Sequence, residues 1–203
     1  MKKFLLAVLS LIMSLGLFAA EAPDVFVKKT ADEVFEILKT DKDLKAGNKE
    51  KAYKITEEKI LPYFDFDRIS KLVLGKAWAG ATPEEKDSFK KEFRTMLVNT
   101  YGAALLKFKD QTLKYKPTRY EPTDEEVLVK TEILQPGAPP LAIDYMLEKE
   151  GNSWKVFDII IEGVSLVTNY RGQFATEIRQ NGIASLITKL SEKNANFDKT
   201  ANK

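Results

Sequence analysis

Trp154 to Phe174 reads WKVFDIIIEGVSLVTNYRGQF, and the fold turns on how this stretch is read. Its first half, Trp154 to Ile161, is β-branched and aromatic apart from Lys155 and Asp158. So short and apolar a run reads as a strand buried on both faces. Glu162-Gly163 interrupts it, placing a glycine where the backbone needs freedom to turn. From Val164 the apolar residues recur at helical spacing, at Val164, Val167, Tyr170, Phe174 and Ile178. A buried strand that turns abruptly into a helix offers apolar surface on two elements meeting at an angle. That surface reads as the wall of a cavity.

Working upstream, the period is two after Asp110. Leu113 and Tyr115 alternate with lysines, as do Val127, Val129, Thr131 and Ile133 with charged neighbours, and Leu141, Ile143, Tyr145 and Leu147 follow. Glu150-Gly151-Asn152 supplies a hairpin turn into the Trp154 strand. The expected fold class is therefore α+β: an antiparallel four-stranded twisted sheet, one face of which helices must cover.

The covering helices precede and follow the sheet. Asp24 to Thr40 is amphipathic, and Asp41 to Lys49 reads as a charged loop. Lys49 to Leu61 is a second helix, ended by Pro62. Asp67 is placed to cap a short helix from Arg68 to Leu74; Gly75 stops it and leaves Trp78 in a loop. Thr82-Pro83-Glu84-Glu85 combines an N-cap, a first-turn proline and a capping-box glutamate. The apolar stripe it opens runs through Phe93, Leu97, Tyr101 and Leu105 to Phe108, the longest element expected. Asn181-Gly182 breaks the helix that follows Gly163, Ile183 to Leu190 forms the last one, and the polar tail after about residue 193 reads as disordered. No repeat or linker divides residues 21–203, which form a single domain.

Composition narrows the function. Hydrophobic content of 44% with 31% charged residues is ordinary for a globular domain. Of the 32 basic side chains, Lys2 and Lys3 precede the apolar run Phe4 to Phe18 and the small residues Ala19, Ala20 and Ala22. This is the layout of a secretory signal, residues 1–20. The run falls short of the ~20 apolar residues a membrane span needs, so stable membrane insertion is not expected. Without those two lysines the basic groups balance the 30 acidic ones, and nucleic-acid binding loses its electrostatic motive. With no cysteine there is no lipid attachment at the signal and no disulfide; the exported chain is free in the periplasm or secreted.

The chain also has no histidine. Ser-His-Asp and Cys-His catalysis and most zinc sites are excluded, and neither G-x-G-x-x-G nor a phosphate-binding P-loop occurs. Asp158, a carboxylate inside an apolar strand, needs a partner or a raised pKa. One reading makes it the general base of a small isomerase-like enzyme acting with a tyrosine. The other makes it structural, paired with Arg171 or Arg179.

The Trp154–Phe174 stretch resembles the signature of the MlaC-type family, the toluene-tolerance auxiliary proteins, most specifically at Gly163-Val164-Ser165-Leu166 and Asn169-Tyr170-Arg171. The likeness extends through FDFDRISKLVLGKAW, TPEEKDSFKKEF and IRQNGIASLITKL, covering roughly Ala52 to Leu190. The resemblance implies a periplasmic, non-enzymatic phospholipid carrier with no cofactor beyond its bound lipid. It implies exchange between an outer-membrane lipoprotein complex and an inner-membrane ABC transporter complex, keeping the outer membrane's lipid asymmetry, with the carrier a monomer. Periodicity cannot tell a filled core from a hollow one; the resemblance implies a hollow, cone-like lipid pocket between sheet and helices. Its expected walls are Phe66, Val73, Trp78, Phe93, Leu97, Tyr101, Leu105, Ile159, Ile161, Val164, Val167, Tyr170 and Phe174. Arg171, about 100° around the helix from Tyr170, reads either as placed at the mouth near a phosphate, which arginine matches well, or as a surface or sheet-paired residue. Read from the residues alone, an isomerase-like enzyme and a non-lipid periplasmic adaptor stay open.

Overall fold

A computed structural model describes residues 21–108 and 110–201, so the secretory signal expected at residues 1–20 lies outside the described residues. The chain is α+β. Its sheet runs β1 (Thr112–Tyr115), β2 (Glu126–Leu134), β3 (Leu141–Glu150), β4 (Ser153–Ile161) and β5 (Val164–Ser165), antiparallel and in sequence order. The fifth strand, two residues long, adds to the four expected. It exists because Glu162 and Gly163 both take positive φ, +49° and +79°, the combination a two-residue hairpin turn requires. The Glu162 carboxylate accepts the Ala142 amide and so holds the left-handed residue in place. Val164 therefore pairs with Ile161 and does not begin the helix.

The register explains why β4 looks apolar on both faces. Tyr145 pairs with Ile159 and Ile143 with Ile161, but Leu147 pairs with Val156, leaving Phe157 as the extra residue of a bulge. Trp154 and Val156 then pack with Val127, Val129, Leu147 and helix α1 (Pro23–Thr40). Phe157 joins a second cluster formed by α4 (Phe66–Leu74), α6 (Pro83–Tyr101) and α7 (Leu166–Ala201). A third cluster holds the far end of α1 against α2 (Lys42–Lys45) and α3 (Lys49–Ile55).

Several helix limits differ from the sequence reading. The loop expected from Asp41 contains α2, because Asp41 accepts from the amides of Asp43 and Leu44 as an N-cap. The second helix stays α-helical only to Ile55, then passes through a π-helical turn, Thr56–Ile60, and a 3-10 turn, Leu61–Tyr63. Asp65 caps α4, not Asp67, accepting the Arg68 amide at 2.8 Å. The Asp65 amide donates to the Val156 carbonyl at 3.0 Å, which pins the start of α4 to β4. Trp78 lies on helix α5 (Lys76–Gly80). The capping box at Thr82 and Glu85 forms as expected, but α6 ends at Tyr101 and a 3-10 turn, Gly102–Lys107, carries the stripe on.

The last helical segment, α7, consists of two helices. It is broken at Gly182, at φ +81°, and continues helical past residue 193 where disorder was expected. Asn194 is buried there, donating to the Glu92 carbonyl and carboxylate. Polar composition misled because one asparagine finds two acceptors on α6.

The break in α7 is fastened by Glu177. Its carboxylate takes Lys189, the Ser185 hydroxyl at 2.7 Å and the Asn181 amide at 2.9 Å. Lys189 first, then Ser185 and Asn181, hold the Glu177 pKa down from 4.5 to about 2. A depressed carboxylate stabilises the fold in full above its unfolded pKa and loses that effect as pH falls through the folded one. The thermal midpoint of the parent chain should therefore exceed that of Glu177→Gln above pH 4.5, and the two should converge on acidification toward pH 2. A gap that stays constant with pH would assign the difference to something other than this carboxylate.

Candidate functional site: an apolar cavity between sheet and helices

The apolar face of the sheet is filled at one end and hollow at the other. At the filled end, Leu147, Val127 and Val156 are buried under Phe26 and Val27 of α1. Further along β3 and β4, Tyr145, Ile143, Leu141, Ile159 and Ile161 remain only half-buried. The reason lies in α1, whose start packs on the sheet while its end, at Leu38, packs on α2 and α3. The helix leaves the sheet and a cavity of about 530 Å³ opens beneath it. That volume falls in the ~300–1,000 Å³ range of ligand-binding cavities.

The sheet and the surrounding helices and turns enclose it. The sheet supplies Ile133, Leu141, Ile143, Tyr145, Phe157, Ile159 and Ile161. Phe66 and Ile69 of α4, Phe93, Leu97 and Tyr101 of α6, and Leu166, Val167 and Tyr170 of α7 form the opposing side. Val34, Phe35 and Leu38 of α1 close it, together with Thr56, Ile60 and the 3-10 turn through Leu105 and Phe108. The lining is almost wholly hydrocarbon and aromatic ring. A polar pair interrupts it where the Tyr101 and Tyr170 hydroxyls meet at 3.3 Å. Burial and the Tyr101 contact raise the Tyr170 pKa above the ordinary phenol range, so it stays neutral and protonated at physiological pH.

Lys107 and Asp158 are the charged residues of the lining. Asp158 pairs with neither Arg171 nor Arg179. One carboxylate oxygen accepts the Ser165 hydroxyl and the other the Val167 amide at 3.0 Å. Ser165 in turn accepts the Thr168 amide at 3.0 Å, as an N-cap does. Asp158 thus reinforces the first turn of α7, with both oxygens already engaged. Among the described residues, no cluster of acidic side chains is arranged to hold a metal ion.

Of the expected wall residues, Phe66, Phe93, Leu97, Tyr101, Leu105, Ile159, Ile161, Val167 and Tyr170 line the cavity. Val73 and Phe174 do not; both are buried inside the helical cluster behind the wall. Trp78 packs on the outside of that cluster under Lys86. Val164 is 56% exposed because the β4–β5 hairpin turns it outward. Arg171 is not at the mouth: its guanidinium Nε donates to the Leu72 carbonyl at 2.6 Å, fastening α7 to α4. The residues missed include Ile69 of α4, Leu166 of α7 and Phe108, but above all those of α1, β2 and β3. The alternation of Leu141, Ile143 and Tyr145 already placed them on one face, and the Tyr145–Ile159 and Ile143–Ile161 pairs join that face to the Trp154 strand.

An open antiparallel sheet clasped by helices around an apolar hollow defines a binding protein for a hydrophobic ligand. The comparisons make the class specific. Residues 28–192 match the family described as MlaC protein, and the chain belongs to that family. It is 29% identical over 165 residues to toluene tolerance protein ttg2D of Pseudomonas putida, covering 81% of this chain and 76% of that one. It is 23% identical over 177 residues to the intermembrane phospholipid transport system binding protein MlaC of Haemophilus influenzae, covering 86% and 83%. A solved phospholipid-binding protein from Ralstonia solanacearum, in complex with a phospholipid, superposes with a TM-score of 0.82. That protein is 36% identical, and the match covers 88% of this chain and 99% of it.

The role of Asp158 sets the cost of removing it. Asp158→Ala should lower unfolding free energy in urea by about 1–2 kcal/mol, the scale of a lost helix cap. Loss of a buried ion pair would cost about 3–5 kcal/mol, and a value in that range would refute the capping role.

Proposed function

We propose that this chain is a periplasmic phospholipid carrier that shelters acyl tails in the cavity between sheet and helices. Residues 1–20 direct export and are removed. The carrier, a monomer, passes lipid between an outer-membrane lipoprotein complex and an inner-membrane ABC transporter complex, and so helps maintain outer-membrane lipid asymmetry. The observation that carries this reading is the hollow end of the sheet, where hydrocarbon side chains face a void. Each methylene transferred there from water contributes roughly 0.8 kcal/mol, which suits a long-chain ligand and leaves little to bind a polar one. The phospholipid found in the Ralstonia solanacearum relative and the transport role named for the Haemophilus influenzae relative support the same reading.

In this reading the tails lie against Phe66, Phe93, Leu97, Tyr101, Leu105, Ile159, Ile161, Val167 and Tyr170, joined by Ile143 and Tyr145. Transfer needs no chemical step and no cofactor. Among the described residues, no helix is long and apolar enough to cross a membrane. In this reading the hand-over takes place between the chain and its partner complexes, without insertion of the carrier.

Solvent extraction of protein purified from the periplasm, followed by mass spectrometry, should recover phospholipid bound to the parent chain. Ile159→Trp, which fills the cavity from its floor, should cut the recovered lipid several-fold while the protein stays folded, since the indole enters space already empty. Absence of lipid from the parent protein would overturn the proposal.

A further inference from the structure

The cavity does not end on apolar side chains everywhere. At the end formed by Leu38, Phe108 and Gln111 it abuts a second hollow of about 520 Å³ that shares those three residues. The second hollow differs in chemistry, for Lys39, Lys45, Asp110 and Thr112 border it. Lys107 of the main cavity stands between Leu106 and Phe108, which both line the second hollow. Lys39 and Lys45 thus border the second hollow and Lys107 the adjoining main cavity, each from a different element: the last turn of α1, α2 and the 3-10 turn after α6. Among the described residues none of the three enters an ion pair.

We propose that this junction is the phosphate subsite of the bound ligand: the phosphodiester of a lipid whose tails fill the main cavity sits among Lys39, Lys45 and Lys107. The inference rests on the carrier reading above and orients the ligand within it. An amphipathic molecule places its polar end where the lining changes from hydrocarbon to charge, and this is the end at which cations meet the cavity. Asp158, the charged residue of the lining contributed by β4, is occupied by Ser165 and Val167 and offers nothing to a phosphate. Ammonium groups on flexible stems act as point charges and impose no bidentate geometry. The subsite should accordingly select for a phosphate and tolerate varied groups beyond it.

The test uses the exported protein, freed of bound lipid, incubated with neutral-lipid vesicles containing dioleoylphosphatidylglycerol or dioleoylglycerol, which share tails and differ in the phosphate. Lipid captured per protein is measured by mass spectrometry. The parent chain should favour phosphatidylglycerol, and K39E/K45E/K107E should lower the capture ratio on the order of tenfold, since each exposed charge contact contributes modestly. K39Q/K45Q/K107Q should fall between, and the preference should shrink at high salt. All three side chains are exposed, so folding is not at risk. An unchanged ratio in the glutamate variant would overturn the subsite while leaving the carrier reading intact. Capture of neither lipid by the parent chain would overturn both. Inorganic phosphate at matched ionic strength should not compete; displacement by it would assign the lysines to the free ion and refute the lipid subsite.

Discussion

The structure depends on the failure of three apolar clusters to close on one another. One lies between α1 and the filled end of the sheet, one among α4, α6 and α7, and one where the end of α1 meets α2 and α3. Each is close-packed in itself. Where they meet, side chains from all three face a void instead of each other. Such a void forfeits the dispersion contacts its lining would otherwise make. A ligand that restores those contacts stabilises the folded chain by mass action. Occupancy and stability are therefore coupled by the same lining.

The void persists because the layers are fastened at the other end. Arg68 of α4 reaches across to Glu126 of β2 and Glu148 of β3, with its guanidinium 3.6 Å from the centre of the Phe157 ring. Burial first, with Asp65 close by, holds the Glu148 pKa above the usual carboxylate range although Arg68 pulls it down. Phe64 bridges to Val156 and the Asp65 amide bonds to the same residue's carbonyl. These contacts set the spacing of α4 from the sheet next to the bulge. On the side of the cavity nearer β5, the link is the Asp158–Ser165–Val167 cap, which fixes where α7 begins. The Arg68 fastening stands apart from the hollow, whereas the Asp158 cap ties β4 to α7 within its lining.

Much of this was legible in the sequence, for physical reasons that also mark its limits. The period of two through Leu141–Leu147 and the Thr82–Glu85 capping box rest on local rules, and both appear as read. The Trp154 strand was legible as a strand but not as a bulged one. A single extra residue at Phe157 sends two successive apolar side chains to different clusters, and only the register with β3 reveals it. Asp65 and Asp67 are equally good caps on composition; the bond from Asp65 to Val156, distant in sequence, decides between them. Arg171 matched a phosphate-binding expectation in type but its partner is the Leu72 carbonyl, again a tertiary choice.

The cavity itself shows most sharply what pattern reading omits. Periodicity says which way a side chain faces, not whether anything stands opposite. Leu147 and Ile143 alternate identically along β3, yet one is fully buried and the other half-covered. The difference arises from α1, which departs from the sheet between Val27 and Leu38, and no residue of β3 encodes that departure. What the sequence does carry is an excess of large apolar residues on both the sheet and the α6 stripe. An excess of that kind is stable in water only if something covers it. In this fold the helices cover the sheet at Leu147 and leave Ile143 and Ile161 to a ligand.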